Sequence, residues 1–234
     1  MIKRNYSLLA MALLLSGCAS KPLPPTSKLV QSETITSANS SQITIEAWNE
    51  LETDFNRPTD NQLRYVTQGD TSKVVALKTL QFVTMMFTTG GQATGFTKSD
   101  LKGTEVKGLA NPSVAYLMPR VSEILKTEMD KHPAKKYPDA VKISPYTWKL
   151  IYKNLAGGDD NYELIMTTAL SRATQDKDGK SLYTSIVCGS TASTPQYTLP
   201  QWRAHSYAKV TEVTQQILDD CITQFTNKSP SYLL

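Results

Sequence analysis

The chain has 234 residues, 40% of them hydrophobic and 20% charged, with a formal net charge of +4. That is ordinary for a globular protein, and it suffices for one domain whose core needs neither a metal nor dense disulfides. With no run of Lys and Arg interleaved with aromatics, the composition excludes a nucleic-acid footprint; the densest basic spot, Lys131, Lys135 and Lys136, reads as a solvated helix end.

Met1-Ile2-Lys3-Arg4 makes a short positive start, and residues 7–15 are the apolar run SLLAMALLL. A bilayer core needs roughly 20 apolar residues, so this run is too short to span one and fits the apolar part of a secretory signal. Leu15-Ser16-Gly17-Cys18 follows at once. The order resembles the bacterial lipobox, Leu-small-Gly-Cys, in which the Cys becomes the first mature residue and carries the lipid. The resemblance implies removal of residues 1–17, palmitate-type acylation at Cys18 and stable attachment through two or three acyl chains, since one alone is marginal. Loss of Lys3 and Arg4 brings the charge nearer neutral. Ala19 and Ser20 stand where Asp retains such proteins at the inner membrane, which implies the outer membrane, periplasmic face. Residues 18–42, rich in Ser, Thr, Pro and Lys and free of aromatics, are expected to be the lipidated Cys and a flexible tether.

The body is expected to be one periplasmic domain over 43–234. Ile45, Trp48, Leu51 and Phe55 suggest a short amphipathic helix, broken by Arg57-Pro58-Thr59-Asp60-Asn61. Asp70 or Thr71 caps a second helix over 72–87, with a strand not excluded for its last part, and Gly90-Gly91 stops it. Residues 90–108 read as a loop or ragged hairpin. Asn111-Pro112 opens a helix with Leu117, Val121, Ile124, Leu125 and Met129 on its apolar face, Pro119 within it and His132-Pro133 closing it. Tyr146, Trp148, Leu150 and Tyr152 alternate with polar residues, which predicts a strand with one wet face. A turn at 157–161 leads to a second strand with Tyr162, Leu164, Met166, Thr168 and Leu170 on one face. The turn Asp176-Lys177-Asp178-Gly179-Lys180, its Gly supplying a positive φ, leads to a third strand over 181–188. A last helix over 202–226 carries Val210, Val213, Ile217, Cys221 and Phe225 as its stripe.

The expected class is therefore α+β, a two-layer sandwich of an antiparallel meander packed against helices, with a closing C-terminal helix. The order over 111–226, the phrase DKDGKSLYTSIVC and the final helix resemble the amino-terminal domain of TolB and the auxiliary lipoproteins of envelope transport systems.

With Cys18 taken by lipid, Cys188 and Cys221 remain in an oxidising compartment and are expected to form a disulfide if the last helix packs on the third strand. The chemistry-bearing residues point to no catalytic, metal or cofactor site. His132 and His205 have no nucleophile or carboxylate at a motif spacing, and no Gly-x-Ser-x-Gly elbow exists. Asp176, Asp178 and Gly179 resemble part of a calcium loop, but the chain runs on into a strand, so a β-turn is the reading; Asp159-Asp160 reads the same way. Gly90 to Gly95 lacks the Gly-Lys-Ser/Thr of a phosphate cradle and reads as a flexible, contact-capable loop. Tyr146, Trp148, Tyr152 and Tyr162 are either core under the helices or a face for a partner or ligand. The function expected is that of a non-enzymatic accessory or binding component of an envelope complex, attached to the membrane by its lipid and bound to an envelope protein. The alternatives are an envelope enzyme acting on peptidoglycan or lipid, and a small-ligand binder.

Overall fold

The computed structural model describes residues 24–53, 57–70, 101–154, 160–175 and 178–234. The leader and Cys18, the helix expected over 72–87 and the Gly90–Gly95 loop lie outside these residues, as does most of the turn expected at 157–161.

The fold is α+β. One eight-stranded sheet carries two described α-helices on one face: β1 Ser27–Thr36, β2 Gln42–Glu50, β3 Gln62–Val66, β4 Thr104–Ala110, α1 Ser113–Met129, β5 Val141–Tyr152, β6 Asn161–Gln175, β7 Ser181–Gly189, β8 Gln196–Thr198 and α2 Leu199–Lys228, then a 3-10 turn Ser229–Leu233. β5, β6 and β7 form the expected antiparallel meander. β2 and β3 join the free edge of β5 in parallel, β2 at Val141–Ile143 and β3 at Lys149–Ile151, so the sheet is mixed.

Two expectations near the N-terminus are corrected. The tether expected through residue 42 gives way at Ser27 to β1, an antiparallel edge strand on β2. Its side chains are exposed apart from Ser27 and Ile35, so it lacks the apolar alternation that would reveal a strand; pairing of its backbone with β2 holds it instead. The helix expected around Ile45 is β2. Ile43, Ile45 and Ala47 are buried and alternate, and Trp48 points to the other face, so period 2 wins over a chance i, i+3 coincidence. The loop or ragged hairpin expected over 90–108 ends in β4, which pairs antiparallel with β3.

A bulge in β5 between Pro145 and Trp148 leaves backbone groups unpaired between the β2 and β3 contacts. Thr59 and Asp60 fill the gap. Thr59 Oγ1 donates to Pro145 O at 2.8 Å, Asp60 N donates to Tyr146 O at 2.8 Å, and Trp148 N donates to the Asp60 carboxylate at 3.0 Å. Lys149 Nζ lies 3.5 Å from that carboxylate and donates to Leu101 O at 3.0 Å. Here the expected wet face is covered in part: Lys149 and Ile151 are buried on the side opposite Trp148 and Leu150, with Val66 and Leu101 packed against Ile151, while Lys153 beyond them is exposed.

α1 starts where expected. Asn111 Oδ1 accepts the Ser113 amide at 3.0 Å and its hydroxyl at 2.7 Å. Pro119 sits inside the helix on its exposed side, so the carbonyl it leaves unpaired faces water. α2 opens with a capping box between Thr198 and Gln201 and is broken at Ala204, after which His205, Ser206 and Tyr207 have φ of 50°, 56° and 65°. Beyond the break, Val210, Val213, Ile217, Cys221 and Phe225 are buried, as the stripe predicted. Cys221 forms a disulfide with Cys188 of β7, Cα atoms 5.3 Å apart. Trp148 Nε1 donates to Thr214 Oγ1 at 3.0 Å across the buried sheet–helix interface.

Candidate functional site

The four aromatics grouped by the sequence do not form one face. Trp148 is a fully buried core side chain. Tyr152 and Tyr162 are register partners on β5 and β6; both line a cavity of about 200 Å³ with Gln68, Asp160 and Leu199. Tyr162 O accepts the Trp202 indole N–H at 3.0 Å, which ties that strand to α2. Tyr146 lies apart, beside the β5 bulge, and is 36% exposed; burial of its ring is the main cause that raises its hydroxyl pKa.

Tyr146 belongs to another surface, the face of the sheet turned away from α1 and α2. The pleat sends Glu46, Lys142, Ser171 and Ser185 to that side, and the strand registers align them in one row continued by Ser32 on β1. No described helix covers the row. On one side of it stands Tyr183, 71% exposed; on the other stands Val187, 64% exposed. Both lie over small β6 partners, Ala173 and Ala169. Trp48 completes the surface, its indole N–H donating to Glu46 Oε2 at 2.7 Å and its ring 5.2 Å from Lys142 Nζ. This face carries a depression of about 600 Å³ that Thr44, Glu46, Asp139, Lys142, Ser171 and Tyr183 line. Exposed rings at the edge of a polar floor suit contact with another molecule better than solvent alone. Sequence reading missed Tyr183 and Val187 because the third strand was read only for its pairing; the alternation Tyr183, Ser185, Val187 against Ile186, Cys188 was the available signal.

His132 lies 49% exposed beyond the end of α1, its Nε2 3.6 Å from Glu128. His205 is exposed at the break in α2. The two lie on different elements. Asp178 and Gly179 are in the β6–β7 turn, with Gly179 at φ 76°, as a hairpin requires. Among the described residues, no three His, Cys, Asp or Glu side chains gather into a metal-binding group, and no helix is long and apolar enough to cross a membrane.

No protein-family model matches the chain, and neither does any curated protein. Among solved structures, that of a minor lipoprotein from Acinetobacter baumannii aligns over 49% of this chain and 85% of its own, with 12% identity and a TM-score of 0.25. A likeness of that size bears on neither fold nor role.

Proposed function

We propose that the protein is a lipoprotein anchored through Cys18 at the outer membrane, facing the periplasm, and that it serves there as a non-enzymatic binding component of an envelope complex. The observation that carries this reading is the contiguous order of positive start, apolar run and Leu15-Ser16-Gly17-Cys18. The Cys188–Cys221 disulfide supports export, because such bonds persist in oxidising compartments. β1 begins only nine positions after Cys18, so a stretch of roughly 30 Å at full extension would separate the lipid from the domain. The body is therefore held close to the membrane rather than on a long leash. The open sheet face, with Tyr183 and Val187 uncovered, is the surface proposed to receive a protein partner.

The test is cross-linking in living cells with a photoreactive residue at Tyr183 of the full-length chain, with Cys18→Ala as the control. Capture of one specific envelope protein by the acylated form alone supports the reading. Recovery of cell wall or lipid with no protein overturns the accessory role and favours the enzyme or ligand-binding alternatives. Failure of Cys18 to take up labelled palmitate overturns the anchoring.

A further inference from the structure

The two ends of the domain differ chemically. β1 runs away from Ser27, the end nearer Cys18, and its 10 residues span about 33 Å at the usual strand rise. It finishes beside the C-terminal end of α1, where Asn39 Nδ2 donates to Met129 O at 2.8 Å and His132 O at 2.7 Å. Lys131, His132, Lys135 and Lys136 crowd this far end and are all exposed. Between their loop and the final 3-10 turn lies a cavity of about 450 Å³, lined by His132, Pro133, Ala134, Lys135, Tyr137 and Leu233 among others.

The walls of this cavity are fixed. Gln42 N donates to Lys135 O at 3.0 Å, Tyr137 N donates to Gln42 O at 2.8 Å, and Lys135 N donates to Ser41 Oγ at 3.0 Å. Opposite, the buried Arg172 donates from Nη1 to Tyr232 O at 2.7 Å and to Leu234 O at 3.1 Å, which pins the last turn. The local carboxylates are engaged elsewhere, and Leu234 O, on the cavity lining at the last residue of the sequence, is held by the Arg172 guanidinium. Glu128 pairs with Lys131 at 2.7 Å, and Asp130 accepts the Asn39 amide at 2.8 Å. Among the described residues, neither Lys135 nor Lys136 has a carboxylate within ion-pair distance. The Lys135 ammonium stands 4.8 Å from the centre of the Tyr137 ring, at the wall of an otherwise largely apolar cavity.

We propose that this cavity binds the terminal carboxylate of a peptide whose last side chains are small and aliphatic. The carboxylate meets Lys135, and the methyl groups lie against Pro133, Ala134 and Leu233. Lys135 is the only ammonium among the residues that line the cavity, and one ammonium balances the single charge of a carboxylate but not the higher charge of a phosphate. The volume is in the range of small-ligand sites. The binding site stands on this geometry alone; only its orientation away from the membrane rests on the anchoring proposed above. Two sources present the same chemistry, the C-terminus of an envelope protein and the peptide stem of the cell wall.

The experiment is fluorescence anisotropy of a labelled Lys-Ala-Ala tripeptide, with free carboxylate or C-terminal amide, against the full chain in detergent micelles. The carboxylate form is expected to bind about tenfold more tightly than the amide, a difference of about 1.4 kcal/mol. Lys135→Gln is expected to abolish that difference and Lys107→Gln, on the distant β4, to preserve it. Equal binding of the two peptides, or a difference that survives Lys135→Gln, overturns the proposal. Repeating the titration with Cys18→Ser separates it from the anchoring: unchanged affinity in a chain that no longer takes up lipid leaves the site standing on its own. Pelleting with purified peptidoglycan then distinguishes the sources. Retention lost in Lys135→Gln supports the site with the wall as its ligand, and absence of retention alongside intact peptide binding supports it with a protein C-terminus.

Discussion

The backbone amide of Trp148 donates to the carboxylate of Asp60 at 3.0 Å, and through this bond the chain between β2 and β3 closes the bulge of β5. The same carboxylate faces Lys149 at 3.5 Å in a buried setting. Removing the Lys149 charge leaves the Asp60 carboxylate buried without its ion-pair partner, so Lys149→Met is expected to destabilise the fold by about 3–5 kcal/mol. Asp60→Asn, which keeps an acceptor for Trp148 N, is expected to cost somewhat less. The double variant should regain much of the loss. A double-mutant cycle by urea unfolding measures this; additive losses would deny the coupling.

The same pair has a pH signature. Burial raises the Asp60 pKa above its ordinary value despite the opposing effect of Lys149, and burial lowers that of Lys149 despite the opposing effect of Asp60. For Asp60 the native state holds its proton more tightly than the unfolded chain. Its contribution is therefore fully present below the ordinary carboxylate pKa and is lost as pH rises through the native value. For Lys149 the contribution is present above the ordinary lysine pKa and is lost as pH falls through the native value. Stability measured across the acid limb is expected to show the Asp60 loss in the wild type and not in Asp60→Asn.

The Cys188–Cys221 bond closes a separation of 33 residues between β7 and α2. The chain-entropy model assigns such a loop roughly 3.5–4 kcal/mol. Replacing both cysteines by Ala is expected to lower Tm by roughly 10 °C, at the ~2–4 °C per kcal/mol usual for this size. Calorimetry with and without reductant checks it, and the reduced wild type should melt with the double variant.

Trp148 Nε1 has Thr214 as its buried acceptor. Thr214→Val keeps the shape and removes that acceptor, leaving the indole N–H unsatisfied at a cost of about 1–3 kcal/mol. Pairing it with Trp148→Phe removes the orphaned donor as well, so the double variant should lose less than the two singles summed, apart from the smaller ring. Urea midpoints for the three variants decide.

Ser206 is exposed and held at φ 56° within the break of α2. An L-residue in that region costs roughly 1–2 kcal/mol, and glycine adopts it freely while losing more entropy on folding. Ser206→Gly is expected to stabilise the fold by about 0.5–1 kcal/mol, seen as a higher urea midpoint at an unchanged m-value. Ser206→Val should shift the midpoint the other way.

Elements whose burial repeats with a clean period were legible in the sequence. The stripe from Val210 to Phe225, the alternation on β6, the Asn111 cap and the Gly179 turn each encode their structure within a few residues. The pairing of Cys188 with Cys221 was legible as well, because it followed from one strand, one helix and the assumption that they pack. What distant contacts decide was not. β1 is a strand only because β2 lies beside it, and its exposed side chains resemble those of a linker. The wet face expected for β5 is covered at Lys149 and Ile151 by segments far away in sequence. The open face was hidden for the same reason: Glu46, Lys142, Ser171 and Ser185 stand in one row only after parallel and antiparallel registers have been set together. By itself the sequence determined the α+β class and the period of each well-patterned element, since these depend on neighbours along the chain. The tertiary structure alone decided which edge of β5 received β2 and β3, and so which surface was left open. Those outcomes depend on hydrogen-bond partners 80 or more residues apart, as between Asp60 and Trp148, and no local pattern records them.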